Sequence, residues 1–244
     1  MAKKVQKYDN SSISMLKGEE RVRKRPAVIF GSDDLEGCKH AVFEILSNAI
    51  DEAREGHGDT IIVTRYEDLS VEVEDFGRGC PVDWNEKEKR YNWELVFCEM
   101  YAGGKYGENG ENYEYSLGLN GLGSCATQYA SEFFDATIRR DGFRYDLHFE
   151  KGRNKGGLKK EPTDRGRKTG SRFHWRPDKQ VFTDINIPLE YWSLDGAPSV
   201  RKASFRRSEV STNEPDYFIL SQPSCARSMM MLTIVSATIS GFCG

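Results

Sequence analysis

Between residues 35 and 57 the apolar positions recur at helical spacing. Ile45, Leu46, Ala49, Ile50 and Ala53 occupy most of the surface, and Glu44, Asn48 and Asp51, at i, i+4 and i+7, stack as a polar stripe on one face. The spacing predicts an amphipathic helix, ended by Gly56 and Gly58 in the manner of a C-cap. Two strand-like runs follow, 60–66 and 70–75, separated by Glu67-Asp68-Leu69 and predicting a hairpin. Residues 75–89 read as a loop with Gly77, Gly79 and Pro81, and 92–101 as a helix. No apolar period is visible over 102–117, which predicts a long loop, and loops of that length inside a compact domain are usually functional. A glycine run, Gly118, Gly121 and Gly123, leads into a helical pattern at 124–130. Strands are predicted at 133–139 and 143–150, the second with Phe143, Tyr145, Leu147 and Phe149 on one face, then at 171–175 after a basic, glycine-rich stretch at 151–168. The sum is an α+β fold, a mixed, mostly antiparallel sheet with helices on one face. From about residue 192 the chain turns serine-rich, with no sustained helical or strand period.

Composition narrows the class. Of 244 residues, 38% are hydrophobic, and 13 Phe, 11 Tyr and 4 Trp are too many for a disordered tail. No apolar run reaches the ~20 residues of a membrane span. With 35 basic and 38 acidic residues, bulk charge calls for neither nucleic acid nor membrane. Cysteines at 38, 80, 98, 125, 225 and 243 form no CxxC pair, and no apolar segment follows the basic start, so free thiols in a reducing cytoplasm are expected. Cys38-Lys39-His40 suggests a metal, but no second ligand pair at zinc-like spacing accompanies it.

Four features carry candidate chemistry. The Glu44, Asn48 and Asp51 stripe is either a functional row or the wet side of an amphipathic helix. In Val71-Glu72-Val73-Glu74-Asp75 the last residue shares the parity of the valines, so it is either an inward carboxylate that needs a partner, such as a nucleobase amine, or the start of a turn. Gly77 and Gly79 favour a ligand, since they let backbone approach a planar group. The 118–123 run offers bare amides to phosphate, although it is neither GxGxxG after a strand nor a P-loop. Lys168-Thr169-Gly170-Ser171 either adds hydroxyls to a base-binding site or is a plain turn.

The ordered set of segments 44–53 (EILSNAIDEA), 74–81 (EDFGRGCP), 101–105 (YAGGK) and 118–123 (GLNGLG) resembles the GHKL ATPases. Residues 8–13 (YDNSSI) and 22–26 (VRKRP) make the resemblance specific to the B subunits of bacterial type II DNA topoisomerases, DNA gyrase or topoisomerase IV, over about 8–190. It implies an N-terminal arm at 1–26, a GHKL ATPase domain at 27–192 whose last helix and strand are missing, and a divergent tail at 193–244, disordered or out of frame.

The resemblance also implies residue roles. Glu44 is the general base for the attacking water, and Asn48 holds Mg2+. Asp75 reads the adenine amine, with Gly77, Gly79, Thr169 and Ser171 nearby and Asp51 in the same site. Tyr113 and Lys105 belong to the lid, and Leu117, Gly118, Leu119, Asn120, Gly121, Leu122 and Gly123 wrap the phosphates of ATP. Tyr8 crosses to a partner protomer's nucleotide, so that the arm makes a homodimer; the topoisomerase A subunit and DNA are partners of the full-length parent, with no membrane role. Three positions depart from the family pattern: Phe76 where an acid is frequent, Cys80 where Ile is usual, and Asn120 for a frequent His. The chain also stops before the family's transducer lysine, which implies slow turnover. Two other readings remain open, a non-catalytic nucleotide-binding or dominant-negative fragment and an unstable fragment with an open sheet edge.

Overall fold

The computed structural model describes residues 16, 18–58, 60–100, 122–163, 169–188 and 191, together with the backbone of 216–221. Two short helices come first, α1 (Glu19–Lys24) and α2 (Pro26–Phe30). Pro26 suits the first position of α2, where its missing N–H costs no helical bond. Arg23 fastens α1 to the body. Its guanidinium lies 2.5 Å from the buried Asp178 carboxylate and donates to the Tyr129 carbonyl at 3.1 Å.

Helix α3 (Leu35–Arg54) is capped by Asp34, whose carboxylate accepts from the Glu36 amide at 2.9 Å. Cys38, Ala41, Val42, Ile45, Ala49 and Ile50 are buried, while His40, Glu44 and Asn48 stay half-buried along the opposite stripe. The helix ends earlier than its sequence pattern predicts, because Gly56 and Gly58 take left-handed φ of 86° and 83° and turn the chain into the sheet.

Strands β1 (Thr60–Arg65) and β2 (Val71–Asp75) form the expected hairpin. The following loop holds a two-residue ladder that no sequence pattern announces, β3 (Trp84–Asn85) with β4 (Arg90–Tyr91). Next come α4 (Asn92–Cys98), α5 (Gly123–Tyr129), β5 (Ser131–Arg140), β6 (Phe143–Glu150), β7 (Arg153–Asn154), β8 (Lys159–Pro162), β9 (Gly170–Pro177) and β10 (Asp216–Ser221). The main sheet has eight strands in the order β10-β1-β2-β9-β5-β6-β7, with β8 also on β6. Every strand pair among the described residues is antiparallel. Strand β10 lies within the stretch where no strand period is legible, and it covers the outer edge of β1 in a six-residue register.

Cross-strand rows define the two faces. Val71, Trp175, Phe134 and Phe149 form one inner row, and Val73, Phe173, Ala136 and Leu147 the next. Trp175, Phe134 and Phe149 are fully buried, and Phe97 of α4 meets Phe134, Phe149 and Phe173 at ring distances of 5.7 to 5.9 Å. Helix α3 packs on β1 and β2, and α5 on β5, so the core lies between one sheet face and the helices. The outer face carries the alternate residues, with Glu72, His174, Asp135 and His148 directly opposite one another across four strands.

Candidate functional site

The stripe on α3 spans two clusters. At its N-terminal end Glu44 pairs with His40, with Nε2 3.2 Å from Oε1, while the other ring nitrogen of His40 lies 3.1 Å from the Phe30 carbonyl. That bond to Glu44 raises the His40 pKa above its ordinary value, against the opposing effect of burial. Helix α5 begins directly against this carboxylate. A Cβ on Gly123 would fall 2.2 Å from Glu44 Oε2 and 3.0 Å from Glu44 Cβ, so a larger residue there would displace the Glu44 side chain. One turn along α3, Asn48 Nδ2 donates to the Glu44 carbonyl at 3.1 Å and to Ser124 Oγ at 3.3 Å.

At the other end the Asp75 side chain faces inward with the valines of β2 and is only 7% exposed. Its Oδ1 accepts from the Gly77 amide at 2.9 Å and the Ser171 amide at 3.3 Å. Burial pushes its pKa up to about 6 in spite of those two bonds. The Ser171 hydroxyl accepts from the Cys80 amide at 3.0 Å, and the Thr169 hydroxyl donates to the Gly77 carbonyl at 2.6 Å, so β9 and the 75–80 turn are stitched together around the acid. Gly79 takes φ of +80°, and a side chain there would meet the Arg139 carbonyl at 2.7 Å. Burial and the Asp75 charge push the Cys80 thiol up to about 12, which leaves it an unreactive wall.

Glu52 joins the two clusters. It lies two turns beyond Glu44 on α3 and accepts from the Arg78 amide at 3.1 Å and the Arg78 guanidinium at 2.7 Å. At about 1.5 Å per residue the stripe from Glu44 to Glu52 is about 12 Å long. Asp51 is not on this path; it is buried at 5% exposure with Arg54 3.7 Å away. Glu44 and Asn48 meet Gly123 and Ser124 at one end, and Asp75, Gly77, Gly79, Thr169 and Ser171 gather at the other, with Leu122 as the residue before α5. Tyr8, Lys105, Tyr113, Leu117, Gly118, Leu119, Asn120 and Gly121 lie outside the described residues.

Four participants are not evident from sequence. His40 and Ser124 matter only through partners that folding supplies, although the i, i+4 spacing of His40 and Glu44 is a legible hint. The pairing of Arg78 with Glu52 joins residues far apart in sequence and has no local signal. Among the described residues no group of three or more His, Cys, Asp or Glu could hold a metal ion, and Cys38 is buried with its thiol pushed up to about 12. A separate cavity of about 460 Å3 opens on the outer sheet face, lined by Asp135, Thr137, Asp146, His148, Arg172 and His174 among others.

Comparison with known proteins gives this geometry a lineage. Residues 33–181 match the family described as histidine kinase-, DNA gyrase B-, and HSP90-like ATPase. The chain belongs to that ATPase family. The relatives of this ATPase domain include the B subunit of DNA topoisomerase 4 from Bacillus subtilis, 41% identical over 191 residues, covering 78% of this chain and 28% of the relative. The B subunit of DNA gyrase from Thermotoga maritima is 39% identical over 183 residues, covering 75% of this chain and 28% of the relative. A solved topoisomerase IV ATP-binding domain of Francisella tularensis, in complex with a small-molecule inhibitor, superposes with a TM-score of 0.59 at 31% identity, covering 72% of this chain and 45% of that one. The chain therefore spans about 28% of the length of these two curated relatives. No helix among the described residues is long and apolar enough to cross a membrane.

Proposed function

We propose that the ATPase domain binds Mg-ATP along the α3 stripe, with the purine at Asp75 and the phosphates at Glu44, Asn48 and the 118–123 run. The observation that carries this is the inward, buried Asp75 carboxylate. Two backbone amides occupy its Oδ1, which leaves Oδ2 to accept from an exocyclic amine. A purine with a carbonyl at that position would face acceptor with acceptor, so adenine is favoured over guanine. Thr169, Ser171, Gly77 and Gly79 shape the same end, and Tyr113 and Lys105 close it from the lid.

At the phosphate end, Glu44 takes the proton of the attacking water as general base, and His40 orients its carboxylate from one turn before. Asn48 offers a carboxamide oxygen, a suitable donor for a hard cation that keeps most of its waters and takes few protein ligands. Mg2+ bound there would offset the charge of the phosphates. The amides of 118–123 add hydrogen bonds to the phosphates, and Gly123 keeps that backbone close to Glu44. Asp51, 5% exposed and 3.7 Å from Arg54, is assigned to the same nucleotide site.

At the level of the assembly we propose that the chain serves a type II topoisomerase as part of its B subunit, in the cytoplasm. ATP binding there closes a homodimer through Tyr8 and the 1–26 arm, and the A subunit and DNA complete the machine.

Calorimetry with a non-hydrolysable ATP analogue and a phosphate-release assay test the residue roles. Asp75→Asn is expected to weaken binding by about 10- to 100-fold, the worth of a hydrogen bond to a charged group. Glu44→Ala is expected to spare binding and lower phosphate release by about 100-fold or more. Equal loss of binding in both variants contradicts the assignment.

A further inference from the structure

The end of an asparagine side chain carries one oxygen and one nitrogen, and the atom that faces outward decides whether it can hold a cation. Asn48 Nδ2 donates to the Glu44 carbonyl at 3.1 Å and to Ser124 Oγ at 3.3 Å. A carboxamide nitrogen has two hydrogens, so both are engaged by protein. Oδ1 accepts from no described residue and is the atom left over for a ligand. The bond to Glu44 lies within α3 and by itself lets the amide plane swing about one contact. The second bond comes from α5 and fixes the plane. Rotating the amide by half a turn would set Oδ1 against the Glu44 carbonyl, acceptor against acceptor, so that carbonyl selects which atom faces outward, while the Ser124 hydroxyl, able to donate or accept, holds the plane. Ser124 is half-buried at the start of α5, next to the glycine that packs against the Glu44 side chain.

We infer that Ser124 is a positioning residue: its hydroxyl holds the Asn48 carboxamide so that Oδ1 is presented to the divalent cation that accompanies the nucleotide. The inference rests on the Mg-ATP reading above and adds a residue that takes no part in contacting either ligand. Groups that orient a metal ligand typically change metal affinity by about 10- to 100-fold when removed. The hydroxyl acts only through Asn48, so nucleotide affinity without metal should not change.

The test titrates Mg2+ into the full chain saturated with a non-hydrolysable ATP analogue, with analogue affinity in a chelator measured in parallel. Ser124→Ala is expected to weaken the apparent Mg2+ affinity about tenfold or more, to leave the chelator value within about twofold, and to shift the Asn48 side-chain amide resonances in an NMR spectrum of the metal-free protein. Ser124→Thr keeps the hydroxyl and is expected to restore Mg2+ affinity. A wild-type chain that depends on Mg2+, matched within about twofold by Ser124→Ala or not rescued by Ser124→Thr, overturns the role of Ser124 alone. A wild-type chain that binds the analogue equally with and without Mg2+ overturns the reading of Asn48 as a cation ligand, and this inference with it.

Discussion

Asp75 is a carboxyl group held where a carboxylate is expensive. Burial places its pKa at about 6, above the ordinary 3.8. Folding therefore takes up a proton between those two values. The contribution of this acid to stability is complete below about 3.8 and is lost as pH rises through about 6, at a cost of roughly 3 kcal/mol at neutral pH. A nucleobase amine that donates to Oδ2 selects the ionised form, which offsets part of that cost. The affinity of an ATP analogue should then fall about tenfold per pH unit below about 6 and be flat above it. The Asp75→Asn protein, titrated alongside to subtract protonation of the phosphates, should lack this step and should melt higher than wild type at pH 8. Calorimetry across pH 5 to 8 reads the first effect, and a wild-type profile parallel to that of the Asn variant contradicts it. Strand parity leaves Asp75 open between an inward acid and a turn residue; the backbone amides of Gly77 and Ser171 decide between the two, and a strand pattern has no means of showing them.

At the scale of elements, length governs what a pattern can announce. Helix α3 has 20 residues, enough turns for its polar stripe to stand out; Glu44 and Asn48 of that stripe are half-buried, while Asp51 is buried and Glu52 continues the row in its place. Helices α1 and α2 have six and five residues, too few for a period, and α1 lies where sequence suggests only an arm. What holds α1 is an ion pair across 155 positions, Arg23 with Asp178, whose side chains are 15% and 5% exposed. Arg23→Ala would leave the Asp178 carboxylate buried without its cation, a loss of about 3 to 5 kcal/mol in comparable pairs. Chemical denaturation should show that loss, whereas Lys24→Ala, which removes an exposed i, i+4 pair with Glu20, should stay within about 0.5 kcal/mol. Similar losses in the two variants contradict the role given to Arg23. The two-residue strands β3 and β4 fall below any alternation signal for the same reason as the short helices.

For the molecule as a whole, the order of strands is the least legible property. The alternation of β6 foretells a half-buried strand, yet nothing local foretells that β2 pairs with β9, about a hundred residues later, and so brings Ser171 to Asp75. The family resemblance supplies that juxtaposition before geometry does, because the motif order encodes a fold. Beyond residue 192 neither period nor resemblance helps, and β10 meets β1 through backbone pairing, which requires no side-chain pattern. Two surfaces of the folded domain compete for a ligand, the α3 stripe with its glycine turns and the charged groove on the outer sheet face. The nucleotide belongs, on the proposal above, to the first. An NMR titration of the isotope-labelled chain with the ATP analogue and Mg2+ tests that assignment directly. Shifts concentrated at Gly77, Ser171 and Ser124 and at the Asn48 side chain, with the outer face silent, are the predicted result; shifts centred on Asp135, His148 and His174, with the α3 stripe unmoved, would contradict it.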